Sequence, residues 1–175
     1  MKALCIHHSA INDELPQFDR IKKYHDAGAG GKWPKGHGIQ YHIFGERSGE
    51  RIMAHDVNNV TWHSGSPEWN IKSFAYCLAG DLRFQEPTEA QLQGLFATWK
   101  ELCFPPVVYH KEIRPEPTKC PGTFPFREEL EKMRMADLET QLRLAEKSLP
   151  RFEGTPRGNL LRRLIKRLKS LLNRV

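Results

Sequence analysis

The stretch Val107–Gly122, VVYHKEIRPEPTKCPG, sets an apolar run against a proline-rich loop and places His110 and Cys120 ten positions apart. Val107–Tyr109 reads as a strand. The prolines at 115, 117 and 121 remove backbone donors and stiffen the loop after it. Two readings stand at this point. One is a core strand followed by an ordinary turn; the other is a pair of metal ligands held by a stiff loop at a strand end.

Working outward, residues 2–8 (KALCIHH) read as a buried strand that ends in histidines. Pro16–Ala27 has helical spacing through Phe18, Ile21 and Tyr24, and Gly28, Gly30 and Gly31 break it. The stretch GKWPKGHG is a loop. Residues 39–44 read as a strand, GERSGERIMA as a hairpin, residues 57–72 as a long loop, and 73–79 as another strand. Long loops in compact domains are often functional. Thr88 with Gln91 makes a capping box for a helix running to about Cys103. Strands alternating with helices, plus one hairpin, predict an α/β fold: a mixed β-sheet flanked by helices.

Beyond this body the pattern changes. A second helical stretch runs from about Phe126 to Leu149, with Met135, Leu138, Leu142, Ala145 and Leu149 at spacings of three and four. Pro150 and residues 153–158 form a linker. The expected divisions are therefore 1–126, a helical extension 127–150, and a basic amphipathic helix 151–175.

Charge follows the same division. The net formal charge is +6, yet residues 151–175 carry eight lysines and arginines and one acid. The other 150 residues carry 19 basic and 20 acidic residues and are nearly neutral. The tail NLLRRLIKRLKSLLNRV alternates leucines with Arg162, Arg163, Lys166, Arg167, Lys169 and Arg174. Leu160, Leu161, Leu164, Ile165, Leu168, Leu171, Leu172 and Val175 give it a wide apolar face. Packing on the body with the cations in solvent is the plain reading. Contact with an anionic membrane or lipopolysaccharide through residues 159–175 is the functional one. An aliphatic face without aromatics is a poor signature for nucleic acid, so no nucleic-acid partner is expected.

No apolar run approaches the roughly 20 residues needed to span a bilayer. The N-terminus is too short in apolar residues for a signal peptide, so synthesis in the cytoplasm without an export signal is expected. The four cysteines are scattered, which is not a disulfide framework. Cys5, Cys77 and Cys103 lie in apolar segments and read as buried small hydrophobes. Cys120 differs, flanked by Lys119 and Pro121.

Ligands of α/β sheets collect at strand ends. His7 and His8 end the first strand, His110 ends the last, and Cys120 lies in the loop leaving it. Two imidazoles and a thiolate suit zinc, which in catalytic sites keeps a fourth position open. No short motif such as HExxH accompanies them.

The blocks IHHSA, WPKGHGIQYHIFGE, TWHSGSPEWNIKSFAYCLAGD, TEAQLQGL and YHKEIRPEPTKCPG occur in one order. In that order the chain resembles the zinc-dependent N-acetylmuramoyl-L-alanine amidases over residues 3–126. That family includes phage amidase lysozymes and peptidoglycan recognition proteins. The resemblance implies cleavage of the amide between N-acetylmuramic acid and L-alanine in peptidoglycan by one zinc ion. It implies His7, His110 and Cys120 as ligands, with His8 facing away along the strand, and Tyr41 as the active-site tyrosine. Some members carry a lysine two residues before the cysteine; here Thr118 stands there, as in other members. Thr118 is thus the candidate for orienting the substrate carbonyl, with Lys119 the lesser one.

The loop 61–70 would form a groove wall. Trp62 and Trp69 would stack on sugar or peptide, or else anchor the core; His63 would meet substrate; Asn70 belongs to the same substrate-side loop and reads as bonding its backbone. His42 reads as a packed strand histidine, and His25, His37 and His55 as solvent-facing. A chain of this kind fits a phage or prophage endolysin that reaches the wall after holin-type release. The alternatives are a peptidoglycan-binding protein without catalysis, or a membrane-active protein working mainly through its cationic tail.

Overall fold

The computed structural model describes residues 3–31, 35, 36 and 38–173. Met1, Lys2, Lys32, Trp33, Pro34, His37, Arg174 and Val175 lie outside the described residues. The chain divides into two compact units, one ending at Pro125 and one beginning at Phe126.

The first unit is built on a five-stranded mixed sheet in the order β3-β2-β4-β1-β5. The strands are β1 (Ala3–His8), β2 (Ile43–Gly45), β3 (Arg51–Met53), β4 (Ser73–Leu78) and β5 (Val107–Tyr109). β1 runs parallel to β4 and β5, β2 runs parallel to β4, and β3 closes a hairpin antiparallel to β2. β1 and β4 are buried along their whole length, as expected of continuous apolar runs in central parallel strands. Helix α1 (Phe18–Asp26) covers one face, where Ile21 joins Ile39, Phe44, Cys77 and Ala79. Helix α3 (Glu89–Glu101) buries Leu95, Phe96 and Trp99. Its Gly94 sits against the Tyr76 hydroxyl, where a Cβ would stand 3.2 Å away. The Thr88–Gln91 capping box is present.

Two expected assignments change. Residues 39–42 are irregular rather than strand, because their backbone is spent elsewhere. The Gln40 amide donates to His25 Nδ1 at 3.0 Å, and although the His42 amide reaches the Ala75 carbonyl of β4, the Ala75 amide bonds to the His42 ring instead of its backbone. The long loop also contains α2 (Pro67–Lys72), with proline in its first turn, where a missing amide costs nothing. After β5 the chain turns at once into α4 (His110–Ile113).

Cys103 is exposed, contrary to expectation: it follows α3 in a left-handed turn (φ 62) that carries its side chain out of the core. His25 is buried rather than solvent-facing, held by that Gln40 amide. His55 is fixed to the Ile39 carbonyl at 2.6 Å. His42 is fully buried as expected, accepting the Ala75 amide.

The second unit is α5 (Phe126–Ser148), a 3₁₀ turn at Leu149–Phe152, and α6 (Pro156–Leu172). α6 opens on Thr155, whose hydroxyl accepts the Gly158 amide. α5 and α6 pack on each other, and Lys169 pairs with Glu146 at 2.8 Å. The expected division into a helical extension and a separate basic helix therefore gives way to one helical pair. Leu168 is buried, and Leu161, Ile165, Leu171 and Leu172 are partly so, whereas Leu160 and Leu164 stay exposed. Pairing thus narrows the apolar face that the sequence predicted. Among the described residues no helix is long and apolar enough to cross a membrane.

Candidate metal centre

Register brings the two distant histidines together. β1 and β5 pair Leu4 with Val107, Cys5 with Val108 and Ile6 with Tyr109. One step further sets His7 beside His110, the first residue of α4, with ring centroids 4.4 Å apart. The chain then returns. The Lys111 amide donates to the Cys120 carbonyl at 2.9 Å, and the His8 amide donates to Cys120 Sγ at 3.4 Å. The turn that presents the thiol is closed by the Gly122 amide on the Lys119 carbonyl at 2.6 Å. Gly122 has φ 100, and a Cβ there would lie 2.1 Å from the Leu82 carbonyl oxygen, so only glycine fits. Thr118 Oγ1 accepts the Cys120 amide at 3.2 Å.

Ligand atoms of His7, His110 and Cys120 lie within 4.8 Å of one another. His7 Nδ1 and Cys120 Sγ are 3.9 Å apart. A tetrahedral zinc, bonded at about 2.1 Å to nitrogen and about 2.3 Å to sulfur, holds such a pair roughly 3.6 Å apart. Burial pushes the Cys120 thiol up to about 12, against the His8 amide, Arg114 and Lys111, which favour the thiolate. A thiol so placed ionises when a cation offsets its desolvation. Burial also holds His7 well below the ordinary histidine value and His110 down to about 4, so both rings are neutral and able to ligate. The donor set fits a zinc ion.

A second trio, Cys5, His7 and His63, is equally compact and fully buried. His7 Nε2 and His63 Nδ1 stand only 2.9 Å apart, a hydrogen-bond distance. Burial keeps the Cys5 thiol protonated. Only His63 of this trio lines the groove, and the hydrogen bond between its two imidazoles leaves no gap for an ion.

His110 and Cys120 of the first trio line a groove of about 690 Å³, with the fully buried His7 against them, and its wall includes Tyr24, His25, Tyr41, Arg83, Arg114, Thr118 and Lys119. The Tyr41 ring is 5.1 Å from His7, and its hydroxyl bonds to Cys77. Burial holds that phenol well above its ordinary value, so it stays a donor. Lys119 is exposed beside the groove. His8 lies near Asp81 at 3.6 Å, but its Nδ1 accepts the Leu82 amide and cannot donate to the carboxylate. Asp81 is held by Arg83 instead.

The loop residues take different places from one another. Trp62 is exposed and Trp69 partly buried. Asn70 is buried, and its Oδ1 accepts the Ser64 amide at 2.9 Å and the Ser64 hydroxyl at 2.7 Å. His63 is also buried, with Nδ1 on His7 and Nε2 on Ser73. His63 lines the groove with both ring nitrogens engaged, and Asn70 lies behind it. His110 bonds to the Ser64 backbone; this raises its proton affinity, so the acceptor is the carbonyl. Ser64 and Ser73 thus touch the site without having been singled out from sequence. Serines in a long loop carry no local pattern that would mark them.

A mixed sheet with an open groove over strand ends, lined by imidazoles and a thiol, places a ligand site where α/β enzymes carry theirs. The chain belongs to the N-acetylmuramoyl-L-alanine amidase family, whose model matches residues 1–123. Its reaction is hydrolysis of the amide between N-acetylmuramic acid and L-alanine in peptidoglycan.

No curated protein matches the chain by sequence. Among solved structures, it resembles the endolysin N-acetylmuramoyl-L-alanine amidase LysCS from Clostridium intestinale URNW. Identity is 26%, the TM-score 0.60, and the match covers 76% of this chain and 83% of that one. The Ph2119 endolysin from the Thermus scotoductus MAT2119 bacteriophage Ph2119 is 25% identical, with a TM-score of 0.58 and coverage of 75% and 83%. Drosophila PGRP-LB, at 21% identity, TM-score 0.60 and coverage of 73% and 78%, shares the fold.

Proposed function

We propose that His7, His110 and Cys120 hold a single zinc ion and that the groove above it takes the muropeptide. The observation carrying this reading is the convergence of three ligand atoms, from residues 7, 110 and 120, within 4.8 Å of one another, two of the three residues lining an open groove. When bound, zinc supplies water acidic enough to ionise near neutral pH and a Lewis acid for the amide carbonyl.

The chain's own residues do the rest. The Thr118 oxygen is occupied by the Cys120 amide, which leaves its proton to donate to a substrate carbonyl. Tyr41 serves as a second donor beside His7, once its hydroxyl exchanges Cys77 for the substrate. Preorganised donors of this kind are typically worth about 3 kcal/mol in the transition state. Lys119, exposed at the rim, attracts the stem-peptide carboxylates. Trp62, Trp69 and the loop braced by His63 and Asn70 bound the sugar side.

The endolysins among the structural relatives favour a phage lytic enzyme acting at the cell wall after holin-type release. In the helical pair, Arg163, Lys166 and Arg167 stay exposed beside Leu160 and Leu164, while Arg162 pairs with Glu153. With Leu161 and Leu168 turned inward, this strip is the part of 159–175 left to meet an anionic membrane or lipopolysaccharide.

The test is muropeptide release from purified peptidoglycan by the wild type and Cys120→Ser, with metal content measured. We expect new L-alanine amino termini from the wild type, their loss on chelation, and a fall of more than about 100-fold in Cys120→Ser, beyond the cost of losing an outer partner. Activity that survives chelation would sink the zinc assignment.

A further inference from the structure

His7 has two nitrogens, and only one faces Cys120. Its Nε2 lies 2.9 Å from His63 Nδ1. His63 Nε2 lies 3.2 Å from Ser73 Oγ, and the Ser73 hydroxyl donates to the Trp69 carbonyl at 2.6 Å. The far end of this row fixes every proton in it. A carbonyl only accepts, so Ser73 spends its proton on Trp69 and offers its oxygen as an acceptor. His63 also bonds to backbone at Ser73 and Trp69, in contacts that raise its proton affinity and so are to carbonyls. Its Nε2 therefore carries the hydrogen, and its Nδ1 carries a lone pair. His7 must then donate from Nε2, which leaves the His7 lone pair on Nδ1, the nitrogen 3.9 Å from Cys120 Sγ. Cys5 Sγ, 3.1 Å from His7 Nε2, is a weak second acceptor for the same hydrogen.

We propose that Ser73 and His63 are positioning residues whose one-way row of hydrogen bonds sets the tautomer of His7, so that Nδ1 is presented to the metal. This rests on the zinc reading above. The row lies out of water: His7 and Ser73 are 0% exposed and His63 3%. No solvent molecule competes for these bonds, so the tautomer is set before any ion arrives. The same row accounts for the compact Cys5, His7 and His63 trio: the gap between its imidazoles holds a proton. A ligating histidine whose other nitrogen has a fixed acceptor is a better ligand, and losing such a partner costs about 10–100-fold in metal affinity.

The experiment uses the full chain with zinc alone as the probe. Imidazole ¹⁵N shifts of the metal-free protein report the His7 tautomer, and competition with a chromophoric chelator reports zinc affinity. We expect wild-type His7 to be Nε2-protonated. His63→Leu should mix the tautomers and weaken zinc by about 10–100-fold, while His63→Asn, which keeps an acceptor near the Nδ1 position, should recover most of the loss. Ser73→Ala should weaken zinc by a smaller factor. A wild-type His7 protonated at Nδ1 overturns the proposal whether or not any variant folds. Zinc binding by His63→Leu within about twofold of wild type overturns it as well. A wild type that binds no zinc overturns instead the metal reading on which it stands.

Discussion

The two units hold themselves together by different means. In the unit ending at Pro125 the important contacts join residues far apart in the chain: His8 to Cys120, Gln17 to Glu46, His7 to His63. In the unit beginning at Phe126 many of the bonds are local: the Thr155 cap and the pairs Lys132–Glu129 and Arg134–Glu131, three residues apart. The second unit contains no histidine, cysteine, tyrosine or tryptophan. Chemistry thus sits where strand pairing gathers distant side chains in a dry place, and the helical pair keeps a surface made mostly of charge. The difference can be probed because every tryptophan belongs to the first unit, so its fluorescence reports that unit alone.

Acid should separate the two most sharply. Burial lowers His8, His25 and His110 to about 4 and His63 to about 3 in the folded state. The unfolded chain takes protons near pH 6.5, so the stability from keeping these rings neutral is complete above that value and is lost as pH falls toward 4. Each ring adds a slope on the order of 1 kcal/mol per pH unit in that window. The metal-free protein should lose its tryptophan signal between about pH 6 and 4 while helical circular dichroism from the second unit persists. A flat tryptophan signal down to pH 4 would break the contrast. Next in size is Gly122→Ala, with its left-handed φ and the Leu82 carbonyl 2.1 Å from the added carbon. It should destabilise the first unit by about 2–4 kcal/mol in denaturant titrations followed by fluorescence; an unchanged midpoint would show that the turn can shift. The smallest effect is expected from deleting 151–175. Hydrolysis of a soluble muropeptide should change by less than about twofold, or under about 0.5 kcal/mol in the barrier. A larger fall would mean that the helical pair supports the catalytic unit.

Much of the sheet could be read from apolar runs, because a central parallel strand such as ALCIHH is buried on both faces and needs no alternation. The stretch 39–42 misled because its apolar residues pack while Gln40 gives its amide to His25 and the His42 ring, not its backbone, takes the Ala75 amide. The three ligand candidates were legible as strand-end residues, and a family resemblance chose His7 over His8. The work of His63 and Ser73 was not legible. It depends on which nitrogen faces which atom, a property of three-dimensional placement that no spacing encodes. The narrowed apolar face of α6 was hidden for a related reason: a helical pattern says which residues share a face and leaves open what covers it.

His7 and Cys120 stand 113 positions apart in the chain. An ion held between them, as proposed, would work as a removable clasp on nearly the whole catalytic unit, closing a loop whose covalent equivalent would lower the entropy of the unfolded chain by roughly 4–5 kcal/mol at room temperature. The clasp also has an order in time. His7 leaves the ribosome early and Cys120 late, so the site cannot be completed until almost all of the catalytic unit has been made. A wall-cutting activity that depends on such a site would be silent in every shorter nascent chain.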